Sequence, residues 1–248
     1  MSKNKLTTQQ YWEKYYSSNF DKSNIINIGK IFDGYWDKFI SDSSKSIIEI
    51  GGYPGRYLSY LASKYFLEPT CLDFNSDVEK IKGSMEKMDV KNCKIIKTDF
   101  TKFTPKENYD LVFSIGFIEH FENYEGIMDK HVAYLNPNGR VLIMIPNKRY
   151  LRKIYGYLCD YKNLKAHNLK SMRFKVFEDF SKRNNLEIET LEYTGGFPYK
   201  VHQKLNIFQK LVYHLFRFLF KRLNPIIEKN PSKYLSGTII CICKKRPN

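Results

Sequence analysis

Residues 46–56 read SIIEIGGYPGR, a short β-branched apolar run followed by a loop that contains three glycines. Runs of this kind are typical of strands that are buried on both faces of a parallel sheet. After the loop, Tyr57, Leu58, Leu61 and Tyr65 fall on one side of a helical wheel, which predicts an amphipathic helix. The stretch therefore predicts a buried strand, a tight turn and a crossover helix, the repeating unit of α/β proteins.

The same alternation of apolar runs and amphipathic stretches continues along the 248-residue chain. It predicts six to seven strands, with helices on both faces of the sheet. The predicted strands cover Ser46–Gly51, Pro69–Phe74, Lys94–Thr98, Tyr109–Ile115, the residues after the Asn136–Gly139 turn, Leu186–Tyr193 and Gly237–Lys244. About forty residues separate the last two strands, and this length predicts a helical insertion over about 197–235.

The chain is predicted to form one domain with three parts. Residues 8–40 are rich in Tyr, Trp and Phe and predict two helices, so 1–44 is treated as an N-terminal helical segment. Residues 45–147 carry the first five strands, and 148–248 carry the rest. The sequence shows neither the apolar core of a signal peptide nor a run of 18 apolar residues, and its five cysteines are scattered. These features favour a reducing, cytoplasmic location.

Charge divides the chain into two unequal halves. Residues 1–147 hold 19 Lys or Arg and 19 Asp or Glu, whereas residues 148–248 hold 22 and 7 and so account for the whole net charge of +15. Such asymmetry indicates where an anionic partner binds, whether a phosphate, a nucleic acid or a membrane surface. A lysine-rich solvated surface would give the same count.

The loop after the first strand excludes two nucleotide-binding motifs. A dinucleotide fingerprint beginning at Gly51 requires glycine where this chain has Tyr53 and Arg56, and a P-loop requires a Gly-Lys-Ser/Thr ending that is absent. The loop instead resembles motif I of class I S-adenosylmethionine-dependent methyltransferases, which reads acidic-x-Gly-x-Gly-x-Gly. Glu49, Gly51 and Gly55 match this motif, and Tyr53 replaces its middle glycine.

Further segments resemble the same family in the same order. Asp73 ends the second strand, where an acidic side chain can accept both ribose hydroxyls of an adenosine. Asp99 follows the third strand, and residues 114–121 resemble the family's Ser-x-x-x-Ile/Leu-Glu-His segment after the fourth. The resemblance implies S-adenosylmethionine as the cofactor and a seven-stranded Rossmann-like sheet whose last strand is antiparallel. It assigns to the cofactor site Glu49, Gly51, Gly52, Gly55, Asp73, Phe74, Asp99, Phe100 and Ser114.

The N-terminal helical segment carries an aromatic cluster, Tyr11-Trp12-x-x-Tyr15-Tyr16. This cluster resembles the helical lid that precedes the first strand in small-molecule members of the family. The resemblance implies that Tyr11 and Tyr16 cover the cofactor. A helix packed on the sheet as part of the core would show the same aromatic stripe.

Methyl transfer requires an in-line approach of the acceptor and little acid–base machinery. If the acceptor is a hydroxyl, a neutral histidine is the natural general base near neutral pH, and His120, just past the fourth strand, is the candidate. His167 and His202 are alternative bases, and a structural role for His120 also stays open. No cysteine or histidine spacing typical of a metal site is visible, so we expect no metal.

In the basic half, Lys148, Arg149 and Arg152 follow the fifth strand, which ends on the ligand side of the sheet. Together with Tyr199 and His202, they are predicted to bind a small anionic acceptor. The chain also resembles methyltransferases of bacterial surface-polysaccharide pathways, which implies O-methylation of a phosphorylated or nucleotide-linked glycan precursor, for example in capsule biosynthesis. One alternative is a nucleic-acid methyltransferase, disfavoured because the Asn/Asp-Pro-Pro-aromatic motif is absent. Another is a non-catalytic binding module with the same fold.

Residues 205–222 predict a helix with a wide apolar face and a polar stripe formed by Lys210, His214, Arg217 and Lys221. Three uses fit this pattern. The helix can cap the active site against the core, pair with a second protomer in a homodimer, or lie on an anionic membrane with its apolar face down.

Overall fold

The computed structural model describes residues 5–19, 25–75, 77–201 and 203–246, and its centre is a seven-stranded sheet. The strands are β1 (Ser46–Ile50), β2 (Glu68–Asp73), β3 (Lys94–Lys97), β4 (Tyr109–Ile115), β5 (Leu135–Pro146), β6 (Leu186–Thr194) and β7 (Thr238–Lys245). The α-helices are α1 (Gln9–Asn19), α2 (Ile25–Lys30), α3 (Asp33–Phe39), α4 (Arg56–Tyr65), α5 (Val78–Glu86), α6 (Tyr124–Val132), α7 (Tyr150–Cys159), α8 (Tyr161–Lys165), α9 (Phe174–Arg183) and α10 (Ile207–Lys229).

The strand order is β3-β2-β1-β4-β5-β7-β6. Neighbours from β3 to β5 run parallel, whereas β7 is antiparallel to both β5 and β6. The α/β sheet with an antiparallel last strand, predicted from the sequence, is confirmed. The chain order reverses between β1 and β4, and ligands of open α/β sheets bind at the carboxyl ends of the strands beside such a reversal.

Side chains of the central strands alternate between two apolar layers, one on each face of the sheet. Ile48 of β1 packs in the layer that contains α6 and α9, while Ile47 packs in the layer that contains α3 and α4. This two-residue period follows from the strand geometry, because successive side chains point to opposite faces. Burial on both faces holds β1 in place, and it therefore fixes the position of the loop that follows it.

The N-terminal segment contains three helices where the sequence predicted two, because α2 ends at Lys30 and α3 begins at Asp33. The break between them is bridged by the indole of Trp36, whose Nε1–H donates to the carbonyl of Gly29 at 2.9 Å. Trp36 is fully buried and packs edge-on against Phe113 of β4. The pair α2 and α3 is thus part of the core on that face.

The second half differs from the prediction at two places. Residues after β5 fold into α7 and α8, which the sequence did not predict, and α10 continues past the predicted end at residue 222 to Lys229. Pro225 lies inside α10; proline usually interrupts a helix, because it lacks an N–H and crowds the preceding turn. The inner face of α10 packs against α7 in a third apolar cluster that contains Tyr155, Phe197 and Phe220.

Among the described residues, no helix combines the length and apolar character needed to cross a membrane.

Candidate functional site

The candidate site is a pocket at the carboxyl ends of β1, β2 and β4, which we call the switch-point pocket. Its lining includes Lys5, Thr7, Trp12, Tyr16, Gly51, Tyr53, Asp73, Phe74, Asn75, Asp99, Phe100, Gly116, Phe117, His120 and Phe121. The structure thus brings together seven of the residues predicted from sequence, namely Tyr16, Gly51, Asp73, Phe74, Asp99, Phe100 and His120. Each comes from a strand end or from the N-terminal segment.

The turn after β1 explains why glycine is needed at position 51. Gly51 adopts φ of 69°, and its N–H donates to the carbonyl of Leu72 at 2.8 Å. A side chain at this position would run into the ring of Phe117, which follows β4 and packs directly on the Gly51 backbone. The turn therefore needs both the left-handed conformation and the missing β-carbon that glycine provides.

Asp73, at the end of β2, is held by two backbone donors. Its Oδ1 accepts from the N–H of Asn75 at 2.7 Å, and its Oδ2 accepts from the N–H of Tyr53 at 3.1 Å. The residue is buried, and burial raises the pKa of the carboxyl despite these hydrogen bonds. Each carboxylate oxygen has two lone pairs, so Asp73 can still accept further hydrogen bonds from a ligand.

Asp99, just after β3, pairs with the N-terminal segment. Its Oδ2 lies 2.7 Å from Lys5 Nζ, and its Oδ1 accepts from the Thr101 hydroxyl at 2.8 Å. Partial burial raises the pKa of Asp99, but the hydrogen bonds from Lys5 and Thr101 outweigh it and hold the pKa below its ordinary value. The side chain is therefore an ionised acceptor at neutral pH. Phe100 is buried beside it.

The N-terminal segment covers part of the pocket. Tyr16 lines the pocket and packs edge-on against Tyr53, with ring centroids 5.0 Å apart, and Trp12 packs edge-on against His120 at 4.8 Å. The predicted contact of Tyr11 differs from the structure. Tyr11 packs edge-on against Trp12, with ring centroids 5.2 Å apart, and it is not among the residues that line the pocket.

His120 is the last residue of a single 3-10 turn (Ile118–His120) after β4, and it is buried against the pocket. Its Nδ1 lies 2.7 Å from the carbonyl oxygen of Ala166, which can only accept, so Nδ1 carries the proton and the Nε2 lone pair is free. Burial lowers the pKa of His120 to about 4, and the positive charge of Lys148 contributes to the decrease. The imidazole is therefore neutral at physiological pH and able to accept a proton.

Beyond His120 lies a group of buried polar side chains that we call the acceptor-side cluster. It consists of Glu119, His120, Lys148, Arg152 and His167. Burial raises the pKa of Glu119 to about 8, and neither of its carboxylate oxygens has a hydrogen-bond partner in the described part of the chain. Burial, followed by the charge of Arg152, lowers the pKa of Lys148 to about 8. Its ammonium also makes no hydrogen bond within the described ranges.

Three residues of this cluster have the spacing of metal ligands. One ligand atom from each of Glu119, His120 and His167 lies within 4.8 Å of the others. The Nδ1 atoms of His120 and His167 each contact a backbone carbonyl, an arrangement that is common around metal-binding histidines. However, Lys148 lies close enough for its positive charge to lower the pKa of both histidines, after burial, and the same charge would repel a cation. The absence of a metal stays a prediction.

The predicted acceptor-binding residues separate into two groups. Lys148 and Arg152 are buried in the acceptor-side cluster, where the Arg152 guanidinium lies 3.1 Å from Asp160. Arg149 instead donates to the carbonyl of Met172 at 3.4 Å and stacks over the ring of Tyr150. The two groups separate because α7 begins here, and residues at its start point in different directions around the helix axis.

Two other predicted acceptor-binding residues are not placed at the site. Tyr199 contacts α7 through its backbone carbonyl, which accepts from the Tyr155 hydroxyl at 2.7 Å, and its ring packs with the apolar cluster between α7 and α10. His202 lies outside the described residues. Roles for both in acceptor binding stay predictions.

Several predicted cofactor residues support the pocket from behind rather than line it. Glu49 is buried and accepts from the N–H of Leu58 in the first turn of α4, while burial raises its pKa to about 8. Gly52 packs against the Glu49 side chain, and Gly55, with φ of 84°, begins α4. Ser114 is fully buried and its hydroxyl pairs with His131 Nε2 at 3.0 Å. These residues fix the loop and strand that carry the pocket.

Sequence reasoning missed Lys5, Thr7, Trp12 and Phe117 as pocket residues. Phe117 lies within residues 114–121 and Trp12 within the N-terminal aromatic cluster, so the sequence had already singled out their neighbours. Lys5 and Thr7 gave none, because they reach the pocket through a backbone contact between distant parts of the chain: the N–H of Leu6 donates to the His120 carbonyl at 2.8 Å. Local patterns do not report such contacts.

Comparison with known proteins agrees with this geometry. A family model described as a methyltransferase domain matches residues 29–196, well over half of the chain. Pavine N-methyltransferase of Thalictrum flavum subsp. glaucum is 26% identical over 141 residues, covering 55% of this chain and 38% of that relative. Malonyl-(acyl-carrier protein) O-methyltransferase 2 of Ilyobacter polytropus is 32% identical over 111 residues, covering 42% of this chain and 41% of that relative. Each match spans well under half of the relative's length.

Among solved structures, coclaurine N-methyltransferase bound to N-methylheliamine and S-adenosylhomocysteine superposes with a TM-score of 0.57 and 14% sequence identity. The superposition covers 87% of this chain and 72% of that chain. At this level of identity the likeness shows the shared fold alone. The match of the family model, together with this fold, shows that the chain belongs to the family of methyltransferase domains.

Proposed function

We propose that the switch-point pocket binds S-adenosylmethionine and that the protein transfers a methyl group to a small anionic acceptor. The pocket residues fit an adenosine: the Asp73 carboxylate can accept from two ribose hydroxyls, and the Asp99 carboxylate can accept from the exocyclic amine. Phe74, Phe100 and Phe117 offer aromatic surface for the base. Because Gly51 carries no side chain, the Phe117 ring packs directly on its backbone and forms part of the pocket wall.

His120 is the general base in this proposal. S-adenosylmethionine, when bound, supplies an electrophilic methyl group. The Ala166 carbonyl holds the His120 ring in the tautomer whose Nε2 is free, and this nitrogen can accept the proton that the acceptor's hydroxyl loses. The base is weak in the structure as it stands, because burial and the Lys148 charge lower its pKa. An anion bound near Lys148 would offset that repulsion and raise the basicity of His120.

The main support for an anionic acceptor is the buried ammonium of Lys148. Lys148 is only 7% exposed, and it lies beside His120 and Arg152 without a hydrogen-bond acceptor in the described residues. The nearby Asp160 and Glu119 carboxyls favour the charged ammonium, but burial and the charge of Arg152 outweigh them and lower the pKa of Lys148 to about 8. A ligand that brings a further negative charge would therefore stabilise the ammonium. This supports an anionic acceptor. The sequence resemblance alone suggests the finer proposal, a phosphorylated or nucleotide-linked precursor that is O-methylated in capsule or surface-glycan biosynthesis.

Nitrogen is the second candidate for the methylated atom. Pavine N-methyltransferase, the first relative, is named for N-methylation, whereas the malonyl-carrier relative is named for O-methylation. A neutral His120 can remove a proton from an ammonium as well as from a hydroxyl. Transfer of the methyl group to an amine or to a hydroxyl in the acceptor assay distinguishes the two.

The cofactor is tested by calorimetric titration of the purified protein with S-adenosylhomocysteine. We expect micromolar binding that Asp73→Ala weakens by about a hundredfold, since two charge-assisted hydrogen bonds are lost. The matched control is Asp179→Ala, which removes a solvent-accessible carboxylate of α9 that pairs with Lys175, and it should bind normally. Equal affinities in the three proteins would contradict the cofactor site, and no binding by a folded wild type would favour a non-catalytic module.

The acceptor is tested with radiolabelled S-adenosylmethionine and a small panel of probes. The panel contains glucose 1-phosphate, UDP-glucose, methyl glucoside, phosphoethanolamine and a short RNA. We expect label in one of the phosphorylated small molecules and none in methyl glucoside. Transfer to RNA with a steep loss at higher salt would instead favour the nucleic-acid alternative, because many phosphate contacts release many counterions.

A further inference from the structure

Helix α10 exposes a large apolar surface to solvent. Only Phe220 and Ile227 of its 23 residues are buried, whereas large apolar side chains on another face are open to solvent. We call these residues the α10 stripe; they are Ile207, Phe208, Leu211, Leu215, Phe218, Leu219 and Ile226. Ile207 is 88% exposed, Leu211 69% and Leu215 61%. Steps of three, four and seven residues connect them, so they lie on one face along the helix.

The charges of α10 lie beside this stripe and have one sign. Lys210, Arg217 and Lys221 recur at seven and four residues, so they form a second row next to the apolar one, and all three are exposed. Arg222 lies within the stripe, and its guanidinium stacks 3.9 Å from the Phe218 ring centroid. Residues 197–235 hold eight Lys or Arg and a single acidic residue, Glu228. The surface therefore combines apolar area with positive charge.

We propose that the α10 stripe binds the surface of an anionic lipid bilayer, with the helix axis parallel to the membrane. Interfacial helices bury an apolar face at the boundary between headgroups and acyl chains, while lysines and arginines at the edge of that face contact anionic headgroups. Both features are present here on the outer side of one helix. The inner side of α10 is already covered, because Phe216, Phe220 and Ile227 pack against α7 and Phe197.

The two other uses that the sequence left open fit the structure less well. A cap over the active site is disfavoured because no residue of α10, which is described throughout, lines the switch-point pocket. In an antiparallel two-fold homodimer through the stripe, the row of Lys210, Arg217 and Lys221 in one copy would lie against the same row of the other, and the Arg222 side chains would meet within the interface. Like charges in close contact cost free energy, and only Glu228 is present to compensate.

The test is cosedimentation of the full chain with vesicles at low salt. One set of vesicles contains phosphatidylcholine alone, and the other contains equal parts of phosphatidylcholine and phosphatidylglycerol. We expect binding to the anionic vesicles that Phe218→Asp weakens by about tenfold or more. The matched control is Phe66→Asp, which makes the same chemical change at a phenylalanine that is 93% exposed far from α10, and it should bind as the wild type does.

A second pair of variants separates the two contributions. Arg217→Glu with Lys221→Glu should reduce binding to anionic vesicles by more than tenfold, since each basic residue near an anionic surface contributes on the order of fivefold. Circular dichroism and S-adenosylhomocysteine titration show whether each variant is folded, and they are independent of the vesicle result. Failure of the wild type to sediment with anionic vesicles would overturn the proposal. A dimer in solution that Phe218→Asp dissociates would also overturn it and would make the stripe a subunit interface.

Discussion

The two sides of the site differ in how their polar groups are satisfied. On the cofactor side, the Asp73 and Asp99 carboxylates each accept two or more hydrogen bonds from the protein. On the acceptor side, neither carboxylate oxygen of the buried Glu119 has a hydrogen-bond partner in the part of the chain that is described. Protein interiors rarely leave such groups unpaired. Burial and the charge of Arg152 also lower the pKa of Lys148, although the Asp160 and Glu119 carboxyls lie near it. For the proposed methyl transfer, the difference predicts that the cofactor side is formed in advance and that a charged acceptor completes the other side.

The largest effect is expected at His120, where the two sides meet. His120→Asn keeps a side-chain N–H that can donate to the Ala166 carbonyl, but it removes the free ring nitrogen. We expect kcat/KM to fall by about 10²–10⁴-fold, the usual contribution of a general base, while affinity for S-adenosylhomocysteine stays the same. The measurement is steady-state kinetics beside calorimetry of the same variant.

His167→Asn is the matched control for this change. It preserves the analogous contact with the Asn163 carbonyl, and His167 does not line the switch-point pocket. Its kcat should stay close to that of the wild type, whereas KM for the acceptor can change because His167 belongs to the acceptor-side cluster. If His167→Asn loses the rate and His120→Asn retains it, the base is His167. If neither loses the rate, the histidine pair is structural and the general-base mechanism is wrong.

A smaller effect, confined to the acceptor, is expected at Lys148. Lys148→Met removes the buried ammonium but keeps a long apolar side chain, and it should raise KM for an anionic acceptor by about 10–100-fold. Because the pKa of Lys148 is lowered to about 8, the wild type should lose this affinity as pH rises through that value. On the acid side, kcat/KM, which reports the free enzyme, should persist through the ordinary histidine range and fall near pH 4, where His120 becomes protonated. The acid limb of kcat should lie at higher pH, because a bound anion offsets the charge of Lys148.

The control for Lys148 is Lys153→Met, an exposed lysine of α7 whose loss changes the net charge equally. It should leave unchanged both KM for the acceptor and the loss of acceptor affinity at high pH. Steady-state kinetics at several pH values with one anionic acceptor measure both KM and its dependence on high pH. An alkaline limb that persists in Lys148→Met, or an equal rise in KM in Lys153→Met, would mean that general electrostatics rather than a buried contact attracts the acceptor.

The comparison also shows which parts of the molecule the sequence could predict. The strand β1 and its glycine turn were predictable because burial on both faces and φ above zero each restrict the residues that are allowed. Asp73, Asp99 and His120 were predictable because they follow strands whose order sets the pocket. All of these signals are local, and the sheet topology brings them together.

The acceptor side was harder to predict because its geometry depends on helices with weak local signals. The sequence treated Lys148, Arg149 and Arg152 as one cationic group. Helix α7 separates them, so that Arg152 is buried against Asp160 while Arg149 contacts Met172. The stretch that forms α7 contains Gly156 and several aromatic residues, which are modest helix formers, and tertiary packing of Tyr155 decides its structure.

The smallest effect is expected at Lys5, which joins the N-terminal segment to the cofactor side. Its ion pair with Asp99 is partly exposed, with about a quarter of each side chain accessible, and pairs of this kind contribute on the order of 0.2–1 kcal/mol. Lys5→Met should therefore weaken S-adenosylhomocysteine binding by about twofold to fivefold, and added salt should shrink the difference. Lys82→Met, an exposed lysine paired with Glu79, is the control. If Lys5→Met tightened binding instead, Lys5 would compete with the ligand for Asp99, and the cofactor side would not be formed in advance.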